Sequence, residues 1–151
     1  MAEEQTTGLL LGWFRHALDP KRRLTIPAEW RELMGSPPRL YVMPDVNEYC
    51  LNVFAPAELE PRLVRLRQRS VTDPRAAAFA RRMGGASECV SVDVQGRIRV
   101  SDRLLRHARL SDKVVLVGAI NRIELWSPEL KPEEEDIELS ALAEASRGVD
   151  F

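Results

Sequence analysis

The sequence predicts an α+β, β-rich fold in which two related units close one barrel around a shared core. Three observations lead to this prediction: a duplicated stretch of sequence, strand-like alternation around each copy, and a helical pattern between the copies. Two short β units cannot each bury a full face alone, so we expect them to pair rather than form independent domains. A chain of 151 residues is long enough to bury such a core without disulfides or metals.

The duplication covers a motif and the elements that follow it. Residues 18–27 (LDPKRRLTIP) align with residues 92–101 (VDVQGRIRVS). Asp19 aligns with Asp93 and Arg23 with Arg97, and each pair is 74 positions apart. Residues 51–56 and 123–128 also match, so the order of elements is repeated together with the motif.

Each copy begins with a predicted strand, turn and strand. Arg97-Ile98-Arg99-Val100 alternates arginine with aliphatic residues, which places the two kinds on opposite faces of a strand. Asp19-Pro20 and Gln95-Gly96 provide turn residues just before these strands. A short helix follows each strand, over 28–34 after Pro27 and over 102–108 after the N-cap Ser101.

Further strands and a helical connector complete the prediction. Each copy is also expected to contain a second pair of strands. These lie at residues 40–43 and 50–54 in the first copy and at residues 114–118 and 122–126 in the second. The connector has one helix over 56–69 and a second over 74–83, which Asp73 caps and Gly84-Gly85 ends. An acidic, helical tail follows from residue 129. The segments are thus the first repeat, the connector, the second repeat and the tail, at residues 12–56, 57–85, 86–128 and 129–151.

The net charge of −1 hides an uneven distribution along the chain. Residues 1–128 carry a net charge of +5 and residues 129–151 carry −6. A basic body can attract a polyanion. The acidic tail is open to three readings: a solvated helix, a segment that competes for the basic body, or a soluble end.

Several function classes are disfavoured. The longest apolar run, 114–120, is too short to cross a bilayer, and the N-terminus has no basic region typical of a secretion signal. Cys50 and Cys89 lack CxxC spacing and are expected to be free thiols in a reducing cytoplasm. Together with His16 and His107 they could supply four zinc ligands, but their scattered spacing disfavours this. Without a nucleophile elbow, phosphate loop or metal motif, we expect neither an enzyme nor a cofactor.

In its duplicated motif the chain resembles the MraZ family, relatives of the AbrB-like swapped-hairpin transcription factors. That family repeats a motif of Asp, a spacer, Lys, Gly and Arg before an aliphatic strand, as at 18–27 and 92–101. Residues 85–89 (GASEC), 115–118 (VLVG) and 123–126 (IELW) also look like the family. The likeness runs from about Gly12 to Trp126.

The resemblance implies a swapped-hairpin fold and a DNA-binding function. Members of the family are cytoplasmic, nucleoid-associated regulators that bind repeated boxes upstream of the division and cell-wall gene cluster and repress it. They assemble into ring-shaped homo-oligomers. The motif arginine, matched here by Arg23 and Arg97, is the family's DNA-contacting residue, and Lys21 matches the motif lysine.

The two copies depart from the family motif differently. Arg22 stands at the glycine position of the first copy, where we expect a differently shaped turn because arginine tolerates positive φ poorly. Gln95 stands at the lysine position of the second copy. The more basic first copy is therefore expected to be the main DNA-contacting edge, and the second to contribute chiefly to the barrel.

The predicted DNA-binding residues are arginines and one lysine around the two motifs. Arg23 is the expected base reader, because a guanidinium can contact guanine O6 and N7 together. The others are Lys21, Arg22, Arg15, Arg97 and Arg99. Asp19 and Asp93 are expected to make the turns and to orient the motif arginines, rather than to act as paired catalytic carboxylates. A solvated turn and an ordinary polar strand face remain the alternatives for these basic residues.

Three functions stay open at this point. The first is a sequence-specific repressor that binds double-stranded DNA as a homo-oligomer, with neither a membrane nor a small-molecule substrate as partner. The second is an oligomeric interaction module or nucleoid-coating protein without strong sequence preference. The third is an antitoxin-type regulator, which the internal duplication disfavours.

Overall fold

A computed structural model describes residues 8–131 and 137–150. The strands are β1 Trp13–Ala17, β2 Arg23–Thr25, β3 Arg39–Pro44, β4 Leu51–Phe54, β5 Glu88–Ser91, β6 Arg97–Arg99, β7 Lys113–Gly118 and β8 Ile123–Trp126. The helices are α1 Ala28–Leu33, α2 Pro56–Arg69, α3 Pro74–Ala86, α4 Asp102–His107 and α5 Leu139–Ser146. The mixed α+β class is confirmed, as is the presence of each strand and helix predicted in the two repeats and the connector.

The strands form two antiparallel sheets. The larger has six strands in the order β1-β7-β8-β4-β3-β5, and the smaller is a two-stranded ribbon of β2 and β6. The first strand of each half pairs with the third strand of the other half, β1 with β7 and β5 with β3. The halves also meet directly where β4 pairs with β8 and where β2 pairs with β6.

The pairing registers show that the two halves have the same topology. Ala17 lies opposite Lys113, and Ser91 lies opposite Arg39. Ala17 and Ser91 are counterparts at the 74-residue offset seen in the sequence, and so are Arg39 and Lys113. The two pairings are therefore equivalent. Leu24 lies opposite its own counterpart Ile98, so an approximate two-fold axis passes through the ribbon.

The core lies between the ribbon, the short helices and the large sheet. Trp30 of α1 and Leu104 of α4 come from equivalent helices and are both buried. Leu24 and Ile98 on the inner face of the ribbon are fully buried, as are several residues of the large sheet: Leu40, Val42, Leu51, Val53, Leu116, Ile123 and Leu125. One hydrophobic cluster holds residues of both halves, as expected for units that cannot bury a core separately.

The prediction of a closed barrel is wrong. Over the described ranges neither sheet closes, since β1 and β5 stand at the two edges of the six-stranded sheet. The reason lies in the turns after these strands. The backbone after β1 reverses direction through Asp19 to Arg22, and β2 then pairs with β6 instead of continuing the large sheet. The ribbon therefore covers the core as a separate layer.

The end of α3 also differs from the prediction. The helix runs through Gly84 and Gly85 to Ala86. Both the backbone N–H and the side-chain hydroxyl of Ser87 donate to the Met83 carbonyl. Both glycines lie inside the helix and neither has a positive φ. Glycine weakens a helix interior by about 1 kcal/mol relative to alanine, which is not by itself enough to end a helix. The predicted caps Asp73 and Ser101 are confirmed, since their side chains accept from Arg75 N and Leu104 N.

The described part of the predicted tail contains one helix. Residues 139–146 are helical, and every described residue from Ile137 to Asp150 is exposed. The predicted tail also includes residues 132–136 and Phe151, which lie outside the described residues. Of the helices that the structure describes, none combines the length and the apolar character that a membrane crossing requires.

Ile98→Ala tests the shared core. We expect it to lower the free energy of unfolding by about 2–5 kcal/mol, because it removes a fully buried side chain at the centre of the ribbon. Urea unfolding followed by circular dichroism measures the change. Val94→Ala is the control, since Val94 is fully exposed in the neighbouring turn and should shift stability by less than about 0.5 kcal/mol. Equal effects of the two substitutions would contradict this core.

Candidate nucleic-acid interface

The ribbon presents arginines on its outer face. Because side chains alternate along a strand, burial of Leu24 and Ile98 turns their neighbours outward. Arg23 lies opposite Arg99, and Thr25 lies opposite Arg97. Three of the four outward positions are therefore cationic, and they come from both repeats.

The first turn is built around the Asp19 carboxylate. Its Oδ1 accepts from Lys21 N at 2.9 Å and from Arg23 N at 2.8 Å. Its Oδ2 accepts from Arg23 Nε at 2.6 Å, which also makes an ion pair. The backbone closes the turn, since Arg22 N donates to Asp19 O at 3.0 Å. One carboxylate thus shapes the turn and holds the first residue of β2.

The second turn repeats this arrangement around Asp93. Its Oδ1 accepts from Gln95 N and Arg97 N, both at 2.9 Å, and its Oδ2 accepts from Arg97 Nε at 2.8 Å. The two motif arginines have similar exposure, with 31% of the Arg23 side chain and 26% of the Arg97 side chain accessible. The structure therefore brings each predicted orienting aspartate into contact with its motif arginine, and leaves each guanidinium partly accessible.

These contacts lower the pKa values of both aspartates. The main cause is the backbone N–H of the motif arginine, Arg23 for Asp19 and Arg97 for Asp93. Partial desolvation opposes the shift, and the guanidinium of the same arginine adds to it. A carboxylate that accepts several N–H groups is favoured in its charged form, which explains the direction.

Arg22 gives the first turn the same shape as the second, so the expected difference between the turns is wrong. Its φ is 63°, in the left-handed region, and φ of its counterpart Gly96 is 79°. A left-handed conformation costs a residue with a β-carbon about 1–2 kcal/mol. The bonds to Asp19 hold the backbone there, and the Arg22 guanidinium lies 3.3 Å from a carboxylate oxygen of Asp102 in α4.

The predicted cations fall into two groups. Lys21, Arg22 and Arg99 border one open depression of about 670 Å³ between the first turn and the start of α4. Over the described ranges, no carboxylate lies within ion-pair distance of Lys21 or Arg99. Arg15 on β1 instead lines a second depression with Lys113, so the structure does not bring it into the depression that Lys21 borders.

Sequence reasoning missed Arg31. This residue of α1 is half-buried, and its Nε donates to Ile26 O at 3.0 Å. Its guanidinium lies over Gly96 in the second turn, where a β-carbon on the glycine would collide with it. Nothing in the local pattern marks this arginine, because the contact joins a helix of one repeat to a turn of the other.

The described residues bring one set of possible metal ligands together. Atoms of Asp45, Cys50 and Glu124 lie within 4.8 Å of one another. Burial raises the pKa of the Cys50 thiol to about 12, which disfavours the thiolate that binds metals. The Asp45 oxygens accept from Asn52, Asn47 and Glu48, and those of Glu124 from nearby side chains. This set fits a hydrogen-bonded cluster better than a metal site.

The fold and site define a duplicated α+β protein with a cationic two-stranded ribbon. Comparison with known proteins gives the family. A family model described as "MraZ protein, putative antitoxin-like" matches residues 83–151. The chain is 30% identical over 138 residues to "Transcriptional regulator MraZ" of Clostridium acetobutylicum, covering 90% of this chain and 95% of the relative.

Other relatives carry the same name. The one from Heliobacterium modesticaldum is 39% identical over 122 residues, which are 80% of this chain and 82% of the relative. The one from Caldanaerobacter subterraneus is 34% identical over 140 residues, covering 90% and 95%. The chain therefore belongs to the MraZ family, as the motifs predicted.

Replacing both turn aspartates tests their electrostatic role. A lowered pKa in the folded protein means that each carboxylate stabilises the fold above the ordinary value of 3.8, and that this contribution is lost as pH falls through the lower folded value. We expect the Asp19→Asn/Asp93→Asn variant to be less stable than wild type at neutral pH and to lose less stability between about pH 5 and about pH 2.

Urea unfolding across this pH range measures the effect. Asp150→Asn is the control, since this residue lies in the exposed C-terminal segment. If the double variant and wild type lose stability in parallel as pH falls, the aspartates do not have this role.

Proposed function

We propose that this protein is a sequence-specific DNA-binding transcriptional regulator that contacts duplex DNA with the outer face of the β2–β6 ribbon and its two flanking turns. The observation that carries the proposal is the row of outward arginines contributed by both repeats. The names of the relatives support the same class. We propose no enzymatic activity and no cofactor.

The ribbon suits the major groove of DNA. That groove admits a two-stranded β ribbon, and an arginine fork can bond guanine O6 and N7. Asp19 occupies Arg23 Nε, which leaves the terminal nitrogens of the guanidinium to contact a base. Arg23 is therefore the proposed reader, with Arg97 in the equivalent position of the second repeat.

The surrounding cations are proposed to bind the phosphate backbone. Lys21 and Arg22 flank Arg23 on the first turn, and Arg99 reaches the same depression from the second repeat. Phosphate contacts position a protein on DNA without reading its sequence. Arg15 on β1, which lines a separate depression, is proposed as an outlying contact.

The strand exchange supports the finer fold assignment. We propose a swapped-hairpin pair with repeats at 12–56 and 86–128, the connector at 57–85 and the tail at 129–151, because β1 and β5 each pair with the opposite half. A ring-shaped homo-oligomer is proposed with it. Several copies in one ring would engage repeated promoter boxes of the division and cell-wall gene cluster, repress it, and associate with the nucleoid in the cytoplasm.

The competing function is an oligomeric protein that coats DNA without reading it. Both functions use the same cations, but only a reader needs the geometry of an arginine fork. A coating protein would bind unrelated duplexes and repeated promoter boxes equally well, with steep salt dependence in both cases. Substitutions of Arg23 distinguish the two functions.

Arg23→Ala should weaken binding to a repeated promoter fragment by about 10- to 100-fold, because it removes the proposed base contact. Arg23→Lys should keep binding to unrelated DNA but lose most of the preference for the promoter, since lysine lacks the fork. Gel shifts with both fragments at fixed salt measure this. Arg65→Ala on α2 is the control, because this exposed arginine lies on the connector. Unchanged promoter preference in both Arg23 variants would contradict the proposed role of Arg23 as the base reader.

A further inference from the structure

The second turn lacks the cations that the first turn carries in its own sequence. Lys21 and Arg22 occupy the two positions before the motif arginine in the first copy, and Gln95 and Gly96 occupy them in the second. The backbone of the two turns is nevertheless the same, with equivalent bonds to Asp19 and Asp93. The second turn therefore has no lysine or arginine of its own before the motif arginine Arg97.

Arg31 brings a cation to the second turn from the other repeat. Its guanidinium occupies the space over Gly96 that a side chain at this position would need. Its Nε is held by Ile26 O, and Ile26 N in turn donates to Gly96 O at 2.9 Å. The end of β2, the helix α1 and the second turn are thus joined around one guanidinium.

The terminal nitrogens of Arg31 remain available to a ligand. Within residues 8–131 and 137–150, no carboxylate lies close enough to pair with this guanidinium, and the side chain is only half-buried. Ile26 occupies Nε, so the remaining donors are those on the terminal nitrogens. A partly exposed, unpaired guanidinium beside a turn is suited to a phosphate group.

Under the approximate symmetry, Arg31 supplies at the second turn the cation that Arg22 supplies at the first. The counterpart of Arg31 in the second repeat is Leu105, which is buried in the core. At the first turn the cation belongs to the turn itself, in Arg22. At the second turn Gly96 has no side chain, and α1 of the opposite repeat supplies the cation instead.

We propose that Arg31 binds a DNA phosphate at the second turn, so that both turns of one chain contact the DNA backbone. This inference rests on the proposed function. It changes the expectation that the second copy contributes chiefly to the fold, because the second turn receives a cation that its own sequence lacks. The ligand class is a phosphodiester of duplex DNA, contacted irrespective of base sequence.

Arg31→Gln tests the proposal, because glutamine can still donate to Ile26 O but carries no charge. Binding to promoter and unrelated duplexes should weaken to a similar extent. The slope of log affinity against log salt should fall by about one for each engaged chain, which is the loss of one phosphate contact. Adding Gln95→Lys to this variant should restore the slope, since it returns a cation to the lysine position of the turn.

Arg106→Gln is the matched control, because it removes the same charge from an exposed position of α4. Urea unfolding confirms that each variant is folded. If wild type binds DNA and Arg31→Gln keeps its salt slope, the inference is wrong and the proposed function stands. If Arg31→Gln lowers the slope and Gln95→Lys fails to restore it, the second turn is not the phosphate site. If wild type does not bind duplex DNA at all, the proposed function itself fails.

Discussion

The aspartate at the start of each motif is the constraint on which the candidate interface depends. One oxygen of its carboxylate accepts two backbone N–H groups and thereby sets the turn, and the other holds the Nε of the motif arginine. The same group therefore determines the path of the chain and the direction of the side chain proposed to meet DNA. Charge-assisted hydrogen bonds are stronger than neutral ones, which suits a contact that must position a partly accessible arginine.

The exchange of strands between the halves gives this constraint its wider effect. β2 and β6 pair across the approximate two-fold axis, so the arginines of both repeats share one outer face. β1 and β5 also cross to the opposite halves, and the core includes residues from both. Each half therefore shares its large sheet and its core with the other half.

This dependence allows the two repeats to diverge in sequence while keeping similar surfaces. Arg22 tolerates a left-handed backbone because Asp19 and Asp102 hold it, and Gly96 leaves room for Arg31. The two turns thus reach the same backbone shape with different residues. In the first turn the cation is local, and in the second it comes from a helix of the other half.

Much of the local structure followed from the sequence. The turns at Asp19 and Asp93, the alternating strands and the N-caps Asp73 and Ser101 depend on a few neighbouring residues, and the sequence pattern predicted each of them. The 74-residue repeat also predicted that the halves would share one core. The tail was predicted to be helical from residue 129, and its helix among the described residues is Leu139–Ser146.

By itself, the sequence determined the two motifs, their equivalent order of elements and the cationic character of the surface around Arg23. Only the tertiary structure decided that the sheets stay open over the described residues, that Arg22 and Gly96 share a conformation, and that Arg31 lies over the second turn. The physical reason is range. Hydrogen bonds within a turn join neighbours in the chain, whereas the Arg31 contact and the edges of the sheet arise from residues that only the packing of the two halves brings together.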